Sequence, residues 1–243
     1  MKRLITSFSL VVALFATSAT ASVQDAIERT YKVINAYQKG DEVWANSGTA
    51  WKLYGRYVVT NKHVALGCGS SVCIRRLYDH LGGVHEFRVV GVSYKVDVAV
   101  LESLTDLPGR SPKFNLDRPL KGDSVYSIGY PGGKFKVSDK CIIKEIGLLS
   151  IFNDYHQILT NCYVVGGASG SALYDAHGEI VGLVYAMGYH EETIVDGNLD
   201  NAKLDHNKQY SIPADIFTPE IKFILENPSV IEGTGSTYKG IGA

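Results

Sequence analysis

From Thr30 onward the chain is a succession of short apolar runs, rich in Val, Ile and Tyr, each closed by Gly or Asn/Asp turns. Nothing else in the sequence constrains the fold as much. Strands this short and closely spaced leave no room for alternating amphipathic helices, so the pattern predicts an all-β sandwich or barrel. The first set of runs lies at 31–37, 48–53, 57–60, 72–78, 86–92 and 98–101, with Leu81-Gly82-Gly83 as a hairpin between the fourth and fifth. Residues 103–119 contain Pro108, Pro112 and Pro119 with little apolar periodicity, and read as a linker. A second set follows at 124–129, 140–146, 156–161, 171–174, 180–185 and 210–212, interrupted by a long polar loop over 190–208. Thr218-Pro219-Glu220 carries the signature of a helix start, with Thr as N-cap, and that helix should stop near Glu226, ahead of Pro228. No internal repeat is visible. A chain of 243 residues accommodates one all-β domain of two barrels or two smaller domains.

The first residues read differently. Lys2 and Arg3 precede the apolar run 4–16, and Ala19-Thr20-Ala21 offers small residues for cleavage before Ser22. That is the pattern of a secretory signal, and the run is short for a bilayer span. The expected organisation is a signal at 1–21, an N-terminal arm or short helix with the first β half at 22–102, the linker at 103–119, the second β half with its helix at 120–227, and a flexible tail at 228–243. A secreted or periplasmic product follows, with no membrane contact after cleavage. The chain carries 24 Lys and Arg against 25 Asp and Glu, and removing the signal takes away two basic residues. The remainder is slightly acidic, which gives no electrostatic case for nucleic acid or anionic lipid. Four cysteines in an exported chain predict two disulfides, for which three connectivities exist. Cys68 and Cys73 bracket a short Gly-Ser loop, while Cys141 and Cys162 lie at matching offsets from a turn near Asn153-Asp154, so 68–73 and 141–162 is the expected pairing. Neither cofactor nor metal is expected. No CxxC occurs, which disfavours a zinc site. The calcium-like stretch from Asp196 has Asn201 where glycine is due and Asn207 where glutamate is due.

Ser169 lies in Gly167-Ala168-Ser169-Gly170-Ser171, between two strand patterns. A serine hydroxyl becomes a nucleophile only with a base to take its proton and amide donors to receive the oxyanion. Flanking glycines supply a sharp turn and bare N–H groups. A histidine, His63, closes the run Tyr57-Val58-Val59-Thr60-Asn61-Lys62-His63, and Asp97 opens Asp97-Val98-Ala99-Val100-Leu101. The chain order His, Asp, Ser separates this arrangement from α/β-hydrolases and from subtilisins. It also draws the three residues from both β halves.

These segments resemble the chymotrypsin-fold serine endopeptidases, and within them the protease domain of the HtrA (DegP-like) group more than the pancreatic enzymes. Thr60-Asn61-Lys62-His63-Val64 is similar to that group's histidine motif, and Asp97-Val98-Ala99-Val100-Leu101 to its aspartate motif. Ile128-Gly129-Tyr130-Pro131-Gly132-Gly133, Thr160-Asn161-Cys162, the Gly167–Leu173 stretch, Gly178-Glu179-Ile180-Val181-Gly182 and Tyr210-Ser211-Ile212-Pro213 follow in the group's order over roughly residues 40–225. The resemblance implies two six-stranded antiparallel β-barrels with a short C-terminal helix, and a peptidase acting on polypeptides. It assigns His63, Asp97 and Ser169 to catalysis and the backbone N–H groups of Gly167 and Ser169 to an oxyanion hole. No PDZ module is expected after the closing helix. Ala168 stands where the group has Asn or Asp, and Ser171 where it has a second glycine, as in glutamyl endopeptidases. The strand after the nucleophile, Gly182-Leu183-Val184-Tyr185-Ala186, lacks the histidine of those enzymes. Tyr163, followed by Val164, stands where trypsin-like enzymes place an aspartate. Tyr163, Val164, Val184, Tyr185 and Ala186 therefore imply a pocket for small or medium apolar side chains, not for Lys or Arg. Gly166-Gly167 makes the loop flexible, so a resting state with the hole unformed, as in regulated members of the group, is a further expectation.

Two competing functions are separable from this one. A silent protease fold used as a binding or chaperone-like module would not label with fluorophosphonates. An esterase elbow of the Gly-x-Ser-x-Gly type fails at Ser171. His80 and His85 flank the Gly-Gly hairpin and read as a solvated turn.

Overall fold

The computed structural model describes residues 23–68, 73–150, 153–193 and 202–229. The expected signal segment and most of the tail lie outside these residues, as do residues 194–201 with the start of the calcium-like stretch. The described residues open with a helix, α1, over 23–28. Among the described residues twelve strands follow. The first barrel contains β1 (Thr30–Lys39), β2 (Glu42–Tyr54), β3 (Tyr57–Thr60), β4 (Cys73–Tyr78), β5 (Val84–Val92) and β6 (Ala99–Ser103). The second contains β7 (Ser124–Gly129), β8 (Lys136–Ser150), β9 (Asn153–Thr160), β10 (Ala172–Asp175), β11 (Ile180–Tyr189) and β12 (Leu204–Pro213). A short turn of helix, α2 (Lys62–Ala65), follows β3, and α3 (Ala214–Glu226) closes the fold. Each set of six closes on itself, in the orders β1-β2-β3-β6-β5-β4 and β10-β11-β12-β9-β8-β7, with antiparallel neighbours throughout. Closure removes the exposed edges that open sheets must protect.

Alternation along the strands explains how two barrels share one seam. On β6, Ala99 and Leu101 point into the first barrel with Tyr31, Val58, Leu77 and Phe87, whereas Val98, just ahead of it, and Val100 face the other way. That opposite face packs with Trp51, Ile128, Tyr174, Leu183 and Phe217, joining both barrels and α3. All five residues of β6 are buried, which is why the sequence reads as an apolar run up to Leu101, with the buried Glu102 and Ser103 closing the strand. The fully buried Trp51 stacks its edge near Phe114 of the linker and its ring near Phe217, at centroid separations of 5.8 and 6.2 Å. A buried aromatic of this size contributes about 4–6 kcal/mol at ~25 cal/mol per Å². The linker is pinned too, since Asn115 donates to the Ile180 carbonyl at 3.0 Å and Ile180 to that of Lys113 at 2.9 Å.

Several strands are longer than their apolar runs, three of them markedly. β2 starts at Glu42, six residues ahead of Gly48, because its exposed outer half is held by pairing with β1 and not by burial. β8 extends beyond 140–146 at both ends, and β12 begins at Leu204, inside the stretch expected as loop. The closing helix starts at Ala214, not Thr218. Pro213 occupies the N-cap in extended conformation, Pro219 falls in the second turn, and the Thr218 hydroxyl is buried with no partner among the described residues. The buried face Ala214, Phe217, Ile221, Ile224 outweighs the local capping signal. Nor is His85 a solvated turn residue. Its ring bonds the Thr105 hydroxyl at 2.8 Å, approaches Asp79 at 3.5 Å, and is largely buried. Asp79 instead governs the hairpin: burial opposes its ionisation, but the Gly83 and Leu81 amides and His85 outweigh that and hold its carboxyl below the usual carboxylate range.

Both cysteine pairs are joined as the sequence implied. Cys68–Cys73 has its Cα atoms 5.9 Å apart and Cys141–Cys162 5.0 Å apart. The second ties β8 to the end of β9 inside the second barrel's core, with Val125 and Leu173 around it.

Candidate active site

β3 carries the chain into the seam and ends at Thr60, so that α2 presents His63 at the barrel junction. Asp97 lies in the turn before β6. The Ser93 amide donates to the Val98 carbonyl at 2.9 Å, and the Ser93 hydroxyl receives the amides of Lys95 and Val96. Asn61 fixes the same turn from the other side, its side-chain amide donating to the Asp97 carbonyl at 2.8 Å. Asp97 then meets His63 twice. Its Oδ1 accepts the His63 backbone N–H at 3.0 Å, and its Oδ2 lies 2.6 Å from His63 Nδ1. The carboxylate is largely buried, while half of the imidazole remains open to solvent. A carboxylate on Nδ1 assigns that nitrogen the proton and leaves Nε2 as the free base.

The nucleophile loop is built from the second barrel and clamped by the first. Gly167 and Gly170 have φ of 93° and 88°, a region that side chains avoid. A Cβ at Gly170 would run into the Thr49 carbonyl, and one at Gly167 would lie 2.5 Å from the Tyr130 carbonyl. Hydrogen bonds fix the carbonyls: Gly132 N to Gly166 O at 2.7 Å, Thr49 Oγ1 to Gly167 O at 2.9 Å, and Thr49 N to Ser169 O at 2.8 Å. On the opposite flank the Gly170 amide reaches Val184 O of β11 at 2.8 Å. Among the described residues, neither the Gly167 nor the Ser169 amide donates a hydrogen bond within the protein. A planar trans peptide directs the Gly167 N–H away from the Gly166 oxygen, which the Gly132 amide occupies. The Gly166–Gly167 peptide plane is thereby pinned in one orientation.

Ser169 and His63 line one cavity of about 370 Å³ with Asn35, Asn46, Ser47, Val64, Gly166 and Gly167. Among the described residues, Ser169 Oγ makes no hydrogen bond to His63, a contact that in ligand-free enzymes commonly tightens only with substrate. Asn35 and Asn46 are cross-strand partners on β1 and β2. Their side-chain amides donate to Val64 O at 2.6 Å and to Gly67 O, so they hold the end of the histidine turn. Sequence reasoning missed Asn35, Asn46, Ser47 and Thr49. For Asn46 and Ser47 the available signal is the polar stretch ahead of the buried half of β2; Asn35 and Thr49 lie within apolar runs and carry none.

The five residues expected around a substrate pocket do not line this cavity. Val164 and Val184 are buried and pack with Ala168, with Met187 against them. Tyr163 is 39% exposed and forms no buried floor; the Lys136 ammonium stands 3.8 Å from its ring centroid and His206 lies beyond. Tyr185 is half-buried, with its hydroxyl bonded to Gln157, and Ala186 is half-buried beside it. Among the described residues no group of His, Cys, Asp or Glu could hold a metal ion, and no helix is long and apolar enough to cross a membrane.

Comparison with known proteins agrees with this architecture. The chain is 27% identical over 180 residues to the serine endoprotease DegS of Haemophilus influenzae, covering 73% of this chain and 49% of that protein. It is 29% identical over 148 residues to the serine protease Rv3671c of Mycobacterium tuberculosis, covering 57% of this chain and 35% of that protein. It therefore spans half or less of the length of these curated relatives. The solved structure of the Rv3671c protease in its active form superposes with a TM-score of 0.68 at 22% identity, covering 91% of both chains. The HtrA-type protease AlgW with a tripeptide gives 0.69 at 23% identity, covering 86% of this chain and 64% of that one. These structures share the fold. Residues 46–183 match the model of the trypsin-like peptidase domain, and the chain belongs to that family.

Proposed function

We propose that the chain is an exported serine endopeptidase in which His63, Asp97 and Ser169 form the catalytic triad. The observation that carries this reading is the doubly bonded His63–Asp97 pair, whose His63 lines one cavity with Ser169 beside two amides that donate no hydrogen bond among the described residues. In the proposed reaction Ser169 Oγ attacks the scissile carbonyl carbon while His63 Nε2 takes the hydroxyl proton. Gly167 N–H and Ser169 N–H bind the resulting oxyanion. The tetrahedral intermediate collapses as His63 returns the proton to the departing amine, leaving an acyl group on Ser169. Water, deprotonated by the same Nε2, then releases the acid. Asp97 keeps the proton on Nδ1 and stabilises the imidazolium.

Polypeptide substrates are supported by AlgW, a structural relative solved with a tripeptide. A preference for small or medium apolar side chains on the acyl side rests on the sequence alone, on Tyr163 and Val164 standing where trypsin-like enzymes place an aspartate. Export through cleavage before Ser22 is supported by the basic and apolar N-terminal pattern and by two disulfides. Fluorophosphonate labelling of the mature protein, beside Ser169→Ala, tests the central assignment. Labelling lost in the variant is expected; a wild type that never labels would favour the silent binding module.

A further inference from the structure

We propose that Thr49 is a positioning residue that holds the oxyanion hole in shape from the neighbouring barrel, an inference that rests on the peptidase reading above. Thr49 lies on β2, fully buried, where the first barrel meets the nucleophile loop. Its hydroxyl sits in the middle of a two-step relay. It accepts the Tyr130 amide at 2.9 Å and donates to the Gly167 carbonyl at 2.9 Å. Its backbone extends the clamp, with N–H to Ser169 O at 2.8 Å and its carbonyl receiving the Thr60 hydroxyl at 2.6 Å. One residue therefore touches the nucleophile loop, the 130–133 turn and the last residue of the histidine strand.

The side chain matters because of which peptides it controls. Gly167 donates its N–H from the peptide it shares with Gly166, and carries its carbonyl in the next one. Gly132 N fixes the first plane through Gly166 O, and Thr49 Oγ1 fixes the second through Gly167 O. With both planes fixed, the φ of 93° at Gly167 has no freedom left, although glycine by itself permits many alternatives. The same hydroxyl also anchors Tyr130, which opens the turn that supplies Gly132 two positions on. Removing it loosens both restraints at once. Threonine suits the position because its β-branched side chain restricts χ1 in a strand and keeps the hydroxyl aimed.

The test compares Thr49→Val, which keeps the shape and removes the hydroxyl, with Thr49→Ser, which keeps the hydroxyl. For Thr49→Val, kcat on a peptide substrate should fall about 30–100-fold with KM within about threefold, as expected for misplacing a group made for the transition state. Affinity for a peptide boronate, whose tetrahedral adduct occupies the hole, should fall by the same factor, while a non-covalent product peptide binds as before. Thr49→Ser should stay within about fivefold of wild type. Hydrogen exchange of the Gly132 amide should quicken in Thr49→Val, a readout that needs no turnover. An active wild type matched by Thr49→Val, or a boronate affinity that does not follow kcat, overturns the role. Should Thr49→Val fail to fold, Thr49→Ser decides: a loss beyond tenfold with intact folding contradicts a hydroxyl-based role. A wild type with neither hydrolysis nor fluorophosphonate labelling overturns the peptidase reading itself, and this role with it.

Discussion

Replacing Asp97 with asparagine changes one atom of the candidate triad and should silence it without unfolding the protein. Both carboxylate oxygens accept hydrogen bonds, one from the His63 backbone N–H at 3.0 Å and one at 2.6 Å from Nδ1. Asparagine has one acceptor and one donor for these two places. The backbone N–H cannot become an acceptor, so the side-chain carbonyl must face it and the NH₂ must face Nδ1. Nδ1 then accepts, the imidazole proton moves to Nε2, and the atom that should deprotonate Ser169 already holds a proton. The loss of the correct tautomer in such triads is worth about 10⁴ in kcat, which at 1.36 kcal/mol per decade is about 5.4 kcal/mol of transition-state free energy. Size and hydrogen-bond count are retained, so thermal stability should stay close to wild type and KM should move less than threefold. Steady-state hydrolysis of a peptide library substrate, with thermal unfolding measured in parallel, is the assay. A variant within tenfold of wild type in kcat would refute the reasoning, because Nε2 would then not need the tautomer that Asp97 imposes.

Further outcomes follow from other parts of the molecule. Gly170→Ala should weaken folding by at least the ~1–2 kcal/mol of a left-handed residue, because the added Cβ also collides with the Thr49 carbonyl; urea unfolding with an unchanged midpoint would contradict the clamp. Asp79 has its pKa lowered in the folded hairpin, so it stabilises the fold above its unfolded value of about 3.9 and that contribution fades as pH falls through the lower folded value. The difference in melting temperature between wild type and Asp79→Asn should therefore be greatest near neutral pH and shrink below pH ~4. A pH-independent difference would refute the hydrogen-bond account. Paired Cys141→Ala and Cys162→Ala substitutions open a crosslink spanning 21 residues and should cost about 3 kcal/mol of unfolding free energy; no change in denaturant midpoint would contradict a formed bridge.

The strand sequence carried most of this architecture because burial leaves a pattern. β3 and β7 begin and end where their apolar runs do, at Tyr57–Thr60 and Ser124–Gly129. Elements held by pairing alone left none, as in the outer half of β2, the ends of β8 and the first half of β12. Thr218-Pro219-Glu220 misled in the opposite sense, since its capping signal is real but weaker than four buried side chains on one helix face. Of the candidate site, the pairing of His63 with Asp97 follows from two strand-end motifs. The roles of Asn35, Asn46 and Thr49 arise only when distant strands meet, and polar residues on a strand look alike in sequence whether they face water or a neighbouring loop. Tyr163 shows the same limit: its offset from Ser169 is fixed by the chain, but the direction of its ring is set by Lys136 and His206.

The most direct measurement traps the acyl-enzyme. The mature protein is mixed with a fluorophosphonate or an activated ester at neutral pH, digested, and mapped by mass spectrometry, alongside His63→Ala and Asp97→Asn. The account predicts one adduct, on the peptide containing Ser169, formed at least a thousandfold more slowly in either variant. An adduct on any other residue, or labelling of Ser169 that ignores His63, would contradict it.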